Sequence, residues 1–171
     1  MKRLYLPLLM IALFYSDNLF VTIFPEAAFD GKYMIIPRFF TIGLLFMAVF
    51  FDRNTAIKYG FLFGFLFDIF YTGVLGAYMF FLPFVVYVVS KLVKVLQNNL
   101  FILSFIFLFG VALLELIMFQ LNVLIERTEI DLAQFVSVRL GPTLLLNLIF
   151  YLLFSFPLKS AFEKLQRIYN D

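Results

Sequence analysis

Cysteine, histidine and tryptophan are all missing from the 171 residues of this chain. Without cysteine and histidine it has no disulfides, no thiolate chemistry, no zinc site of the Cys/His kind and no imidazole general base. Charged residues are also scarce, at 14%, and the formal net charge of +2 is too small and too dispersed to indicate nucleic-acid binding. We therefore expect no cofactor, no metal site and no nucleic-acid partner.

Apolar residues, by contrast, are in large excess. They make up 64% of the chain, and the mean hydropathy is +1.04, whereas soluble domains are about 45–50% apolar. A water-soluble fold of this size cannot bury that much apolar surface in one core. The backbone must instead be satisfied in helices that cross a bilayer. We predict an all-α fold, a polytopic transmembrane bundle of about six helices, forming one integral membrane domain over residues 1–171.

Six apolar segments predict helices, four of them as long as the roughly 17–25 residues that cross the hydrocarbon core. Their predicted ranges are 4–24, 34–51, 55–70, 74–89, 100–125 and 139–156. The third and fourth are short and joined by a tight turn at 71–73, so a re-entrant pair is the alternative topology. We also expect an amphipathic connector at 90–99, a polar loop at 126–138, and a helix end at Pro157.

The start of the chain and the distribution of charge predict its orientation. Lys2-Arg3 and the apolar run after them resemble a signal peptide, but no small-x-small cleavage site follows, so we expect an uncleaved first helix. Cytoplasmic loops are enriched in Lys and Arg, and one set of alternate loops holds nine of them against four in the other. The nine are Lys2, Arg3, Arg53, Lys58, Lys91, Lys94, Lys159, Lys164 and Arg167. The four are Lys32, Arg38, Arg127 and Arg139, beside the acids Glu26, Asp30, Glu126, Glu129 and Asp131. We therefore predict a multi-pass plasma-membrane protein with both termini in the cytoplasm.

Three acids lie within apolar segments: Asp17, Asp68 and Glu115. Each costs about 2.5–3.5 kcal/mol at a helix centre, so each calls for a partner. At ~1.5 Å per residue they lie ~20 Å up a hydrocarbon layer ~30 Å thick, with Arg38 at a similar height and Arg139 nearer the interface. We name these five residues the charge layer and predict that its acids and arginines pair inside the bundle. Such pairs either hold helices together or surround a polar cavity or partner groove in the outer half. The alternative is that each charged side chain extends to the membrane interface instead of pairing.

The densest pattern of the sequence combines glycines with one of these acids. It comprises Gly60, Gly64, Asp68, Gly73, Gly76 and Tyr78. Gly60 and Gly64 form a small-xxx-small stripe, which lets another helix approach closely, and Asp68 continues the same face. Gly73 lies at the hairpin tip, where a positive φ is needed. We expect this stripe to serve helix packing or to receive the transmembrane helix of a partner.

The stretch Gly60-Phe-Leu-Phe-Gly-Phe-Leu-Phe-Asp-Ile-Phe-Tyr-Thr-Gly-Val-Leu-Gly-Ala-Tyr78 resembles the signature of the rod shape-determining protein MreD family. The resemblance covers the whole chain. Met1-Lys-Arg-Leu-Tyr-Leu-Pro7, Ile36-Pro37-Arg38-Phe39, Ser90-Lys91, Lys94-Val95-Leu96 and Gly141-Pro142-Thr143 through Asn147 are similar to Gram-positive members.

The resemblance implies a non-enzymatic scaffold of the cell-elongation complex that supports sidewall peptidoglycan synthesis and rod shape. Its implied partners are MreC, bound directly through a transmembrane helix, and the actin-like MreB and the elongation-specific wall synthases, reached either through MreC or directly. It also implies a fold similar to the S components of energy-coupling-factor transporters, and it supplies no catalytic residue.

Two other function classes remain open from the sequence. A substrate-capturing subunit of the S-component type needs a vitamin-sized pocket with several polar groups, yet Asn, Gln, Ser and Thr are sparse in the helices. An intramembrane enzyme would use Asp17 and Asp68 as a carboxylate pair, but no nucleophile and base accompany them. Loss of rod shape on depletion, as opposed to vitamin auxotrophy, distinguishes the scaffold from the transporter.

Overall fold

The computed structural model describes residues 4–25, 31–96 and 99–170. Within these ranges every regular element is helical and no strand occurs, which confirms the prediction of an all-α fold. Lys2, Arg3, Glu26 and Asp30, which enter the predicted charge distribution, lie outside the described residues.

Six of the helical segments are long, and two π-helical turns adjoin them. The helices are α1 Tyr5–Ile23, α2 Phe39–Phe50, α3 Arg53–Phe67, α4 Ala77–Leu96, α5 Leu100–Leu124, the single turn α6 Leu132–Gln134, and α7 Gly141–Asn170. The π-helical turn Asp68–Thr72 extends α3, and Phe135–Leu140 joins α6 to α7. By length and composition, α1, α4, α5 and the stretch Leu132–Tyr169 are sufficient to cross a membrane, whereas α2 is a shorter apolar helix.

The connections between helices lie at two opposite ends of the bundle. We call the end with residues 31–38, 73–76 and 125–131 the loop end, and the end with residues 51–52 and 99 the opposite end. At the loop end, Arg127 Nη1 donates to the carbonyl oxygen of Thr72 at 2.7 Å. At the opposite end, Gln166 Nε2 donates to the carbonyl oxygen of Phe51 at 3.0 Å. These contacts bring together segments far apart in the sequence.

Helix α2 is the centre of the bundle, because ten of its 12 residues are buried. It packs against α1, α3, α4, α5 and α7. Toward the opposite end α2 and its neighbours form an aromatic core, in which the Phe46 ring lies 5.0 Å from that of Phe107 and 5.5 Å from that of Tyr151. Burial of this apolar surface explains why α2, which has the largest buried share among the helices that the structure describes, is also the most apolar of them.

The prediction that the second helix starts at residue 34 is wrong, because α2 begins at Phe39. Pro37 disfavours the helical conformation of the residue before it, and residues 33–38 form no regular element. A helix of 12 residues is about 18 Å long, short of the hydrocarbon core of about 30 Å. The start of α2, with Arg38 as its N-cap residue, therefore lies inside the bundle.

Three other predicted boundaries are wrong as well. Helix α4 continues to Leu96, so residues 90–96 are helix and not a connector. Helix α7 continues through Pro157 to Asn170, where the buried side chains of Phe162 and Leu165 extend the core past the proline. The polar loop ends at Asp131, whose carboxylate accepts a hydrogen bond from the Gln134 N–H at 2.7 Å and caps the next turn.

Candidate functional site: two capped helix starts, an ion cluster and a cavity

The backbone N–H groups at the start of α2 donate hydrogen bonds to side chains of two other helices. A helix that begins inside a membrane protein exposes N–H groups that no water can reach, so protein acceptors must bind them. Asp17 of α1 accepts from the Phe39 N–H at 2.8 Å and, at 3.4 Å, from that of Phe40. Asn147 of α7 accepts through Oδ1 from the Arg38 N–H at 2.9 Å.

The polar residues of α7 also bind the irregular segment before α2. Thr143 Oγ1 accepts from the Ile36 N–H at 3.1 Å, and Asn147 Nδ2 donates to the Ile36 carbonyl oxygen at 3.1 Å. Sequence reasoning did not assign these two roles. The available signal was a threonine and an asparagine four residues apart on an apolar helix, which share one face.

The start of α4 is capped by Asp68 across a tight turn. Its carboxylate accepts from the N–H groups of Gly76 at 2.9 Å, Tyr78 at 2.8 Å and Met79 at 3.1 Å. The turn requires positive φ angles at Gly73 (63°) and Gly76 (98°), which residues with a side chain rarely adopt. Asp68 itself is fully buried. Its carboxylate therefore replaces water at the start of α4.

Glu115 of α5 is the counter-ion of two arginines. Arg38 Nε donates to its Oε1 at 2.6 Å, and Arg139 Nε donates to its Oε2 at 3.0 Å. Arg38 also donates through Nη2 to the Tyr78 hydroxyl at 2.6 Å, with the guanidinium 5.1 Å from the ring centroid. We call Arg38, Tyr78, Glu115 and Arg139 the Glu115 cluster. It joins the starts of α2 and α4 to α5 and to the π-helical turn before α7.

The structure divides the five residues of the charge layer into two kinds. Arg38, Glu115 and Arg139 meet in the Glu115 cluster, whereas Asp17 and Asp68 bind backbone N–H groups and form no ion pair with any arginine in the described ranges. The predicted acid–arginine pairing is therefore wrong for those two acids. The physical reason is that the starts of α2 and α4 lie closer to them and offer several donors at once.

The glycine stripe is occupied within the chain. A Cβ atom on Gly64 would lie 2.5 Å from the Tyr78 carbonyl oxygen and 2.8 Å from Met79 Cα, and one on Gly60 would lie 3.2 Å from Pro83 Cα. Helix α4 thus packs directly on the backbone of α3, which is the helix-packing role of such a stripe. The expectation that it receives the transmembrane helix of a partner is wrong, because no room remains there.

A cavity of about 370 Å³ opens beside these elements at the loop end. Three arginines line it, and its remaining walls combine amide, hydroxyl and apolar side chains. Its lining includes Asp17, Asn18, Val21, Arg38, Phe67, Tyr71, Thr72, Tyr78, Met118, Leu121, Asn122, Arg127 and Arg139. Among the residues that the structure describes, no group of acidic side chains is arranged to hold a metal ion.

Comparisons with known proteins give a consistent result over the full length of the chain. The family model of rod shape-determining protein MreD matches residues 1–165. The rod shape-determining protein MreD of Bacillus subtilis (strain 168) is 36% identical over 171 residues, which cover 100% of this chain and 99% of that protein. No solved structure matches the chain, so its similarity to S components stays a prediction. This all-helical membrane protein therefore belongs to the rod shape-determining protein MreD family.

Proposed function

We propose that this protein is a non-enzymatic scaffold of the cell-elongation complex, which binds MreC in the membrane and thereby supports sidewall peptidoglycan synthesis. MreB and the elongation-specific wall synthases are then reached through MreC. A role in determining rod shape follows from the family and from the full-length similarity to the Bacillus subtilis protein. The partners named here are our proposal.

The proposal that the protein is not an enzyme rests on what its buried carboxylates bind. Asp68 and Glu115 are fully buried, and each is bound by several donors of the protein itself. Asp17 is bound by the start of α2. A general acid or base must reach a substrate proton, whereas these groups hold helix starts and arginines in place. The arrangement is typical of a rigid platform.

The surface for MreC must be an outward helix face, because α4 already covers the glycine stripe. Single photo-crosslinking residues placed at Leu19 of α1, Phe84 of α4, Phe105 of α5 and Leu152 of α7 sample four exposed faces. We expect one of them to crosslink to MreC in intact cells. The face that does so marks the binding site, since van der Waals packing between helices needs direct contact.

Each crosslinking position carries its own control, which is the same cells kept in the dark. Membrane levels of every variant are compared with those of the unmodified protein. If MreC neither crosslinks at any of the four faces nor co-purifies from membranes that hold normal levels of both proteins, the scaffold proposal is overturned.

We also propose the plasma membrane as the location, with both termini in the cytoplasm. Arg53, Lys58, Lys91 and Lys94 lie toward the opposite end, which we assign to the cytoplasm by the enrichment of basic residues there. The chain has no cysteine, so a single introduced thiol is a clean reporter. In whole cells, a membrane-impermeant maleimide should label Glu129→Cys and leave Lys94→Cys unlabelled. The reverse pattern would invert the orientation.

A second candidate is substrate capture of the S-component type, which the cavity at the loop end favours. Its volume of about 370 Å³ lies within the range of small-molecule pockets, about 300–1,000 Å³. Depletion separates the two functions. Round cells that grow without added vitamins indicate the scaffold, whereas rod-shaped cells that require a vitamin indicate transport.

A further inference from the structure

The cavity at the loop end has more arginines in its lining than there are carboxylates that line it or bind those arginines. Arg38, Arg127 and Arg139 line it. The acids near them are Asp17, which is part of the lining, and Glu115, which is outside the lining and binds Arg38 and Arg139. Among the lining residues and Glu115, three arginines face two carboxylates, so one positive charge is left in excess. A concave site with an excess cation and apolar walls focuses its field and attracts an anion.

Two of the arginines keep hydrogen-bond donors available. Arg127 donates through Nη1 to the Thr72 carbonyl oxygen, and its Nη2 has no acceptor among the described residues. Arg139 binds Glu115 through Nε and Nη2. Its Nη1 likewise meets no acceptor within residues 4–25, 31–96 and 99–170. A planar guanidinium with free N–H groups matches the oxygen atoms of a phosphate.

The other walls of the cavity are amphipathic. Asn18 and Asn122 supply amides near the arginines, whereas Val21, Met118 and Leu121 supply apolar surface. Asn18 and Val21 both lie on α1 and are exposed, so the lining continues onto a helix face that borders lipid. An anionic headgroup with an attached hydrocarbon chain fits this combination, because both parts find a matching surface.

We propose that this cavity binds an anionic phosphate group, carried by a membrane lipid of net negative charge or free in solution. The proposal goes beyond the scaffold function and holds whichever protein this chain binds. The phosphate accepts from Arg127 and Arg139 at the mouth. When the phosphate belongs to a lipid, the hydrocarbon chain leaves along α1 past Val21.

The absence of tryptophan provides a direct test. Tyr71→Trp places a single fluorophore in the cavity lining, and Leu19→Trp places one on the lipid-facing side of α1 as the matched control. Both variants are reconstituted as full-length protein in phosphatidylcholine vesicles that contain brominated phosphatidylglycerol or brominated phosphatidylcholine. We expect brominated phosphatidylglycerol to quench the Tyr71→Trp fluorescence about threefold more effectively than brominated phosphatidylcholine, because a partly exposed ionic contact contributes a preference of about that size. The Leu19→Trp fluorescence should be quenched equally by both lipids.

Charge variants in the Tyr71→Trp background show whether the arginines cause the preference. Arg127→Gln removes one cation at the mouth and should reduce the preference about threefold. Lys94→Gln removes an exposed cation at the opposite end and should leave it unchanged. Helical circular dichroism of each variant, equal to that of the parent, shows that the fold is intact.

Inorganic phosphate distinguishes the two sources. If millimolar phosphate reduces quenching by brominated phosphatidylglycerol, the same site also accepts the free anion. If it does not, the lipid is the ligand. Equal quenching by both lipids at Tyr71→Trp, together with no effect of phosphate on its emission, would overturn the proposal. An undiminished preference in Arg127→Gln would also overturn it.

Discussion

Helices α2 and α4 both begin at a buried carboxylate, yet the two starts are built in different ways. Asp68 lies ten residues before Tyr78 and reaches the start of α4 across one tight turn. Asp17 lies 22 residues before Phe39, on a separate helix. The start of α2 also depends on Asn147, which is 109 residues from Arg38.

The difference shows that the same physical requirement has a local and a non-local solution. The start of α4 is formed by neighbours in the chain, so the α3–α4 hairpin contains every group it needs. The start of α2 needs α1, α5 and α7 in place before its donors and its arginine are satisfied. We expect damage near α2 to loosen the whole bundle and damage near α4 to act first on the hairpin.

The largest effect should come from the counter-ion at the non-local start. Glu115→Gln leaves Arg38 and Arg139 without a carboxylate, and an uncompensated buried charge costs about 3–5 kcal/mol. Reversible unfolding in mixed micelles measures the change in free energy. The matched control is Glu163→Gln, which breaks the 3.8 Å pair with Lys159 near the surface and should cost about 0.5 kcal/mol or less. Equal losses in both variants would contradict the role of the Glu115 cluster.

The second prediction compares the two caps directly. Asp68→Ala removes an acceptor that binds three N–H groups, and Asp17→Ala removes one that binds Phe39 closely and Phe40 only at 3.4 Å. We expect losses of about 3 kcal/mol and about 1–2 kcal/mol, because each buried donor left unsatisfied costs about 1–3 kcal/mol before relaxation. The same unfolding experiment ranks them. A larger loss in Asp17→Ala would show that tertiary caps dominate.

The third prediction concerns the close approach of α3 and α4. Gly64→Ala places a Cβ atom against backbone atoms of Tyr78 and Met79 that cannot move aside freely, so we expect a loss of about 1–3 kcal/mol. Gly60→Ala meets Pro83 at 3.2 Å and should cost less, about 1 kcal/mol. Unfolding of the two variants side by side measures the difference. Equal losses would mean that the hairpin adjusts as a unit.

The smallest effect should come from an exposed cap at the opposite end. Desolvation of the Asp52 carboxyl raises its pKa, but hydrogen bonds from the Thr55 side chain and from the Thr55 and Asn54 N–H groups prevail and lower the pKa below its usual value. Asp52→Ala should cost about 1 kcal/mol near neutral pH. The carboxylate stabilises the fold fully above the unfolded pKa of about 3.9 and loses this contribution as the pH falls through the lower folded pKa.

The measurement is the free energy of unfolding of parent and Asp52→Ala protein from pH 6 down to the acid range. The difference between them should shrink as the pH falls below about 4. A difference that is independent of pH would show that the hydrogen bonds of Asp52 do not depend on its charge.

The sequence predicted part of the structure at the start of α4, whereas it did not predict the contacts at the start of α2. The spacing of Gly60, Gly64 and Asp68 predicts one face of a helix, and Gly73 predicts a turn, but the identity of the contacting helix and the capping role of Asp68 were missing. The contacting helix proved to be α4 of the same chain. For Asp17, no nearby feature of the sequence indicates that its carboxylate accepts a hydrogen bond from the Phe39 N–H.

The sequence alone determined that this protein is an all-helical membrane bundle with its embedded charges turned inward, because its apolar runs and few charges allow no other stable arrangement. Only the tertiary structure decided what each charge binds. Pro37 interrupts the second apolar segment, and the N–H groups released there take Asp17 and Asn147 as acceptors. Which acceptors reach those groups depends on how α1, α2 and α7 pack, and contacts separated by 22 to 109 residues leave no periodic trace in the chain.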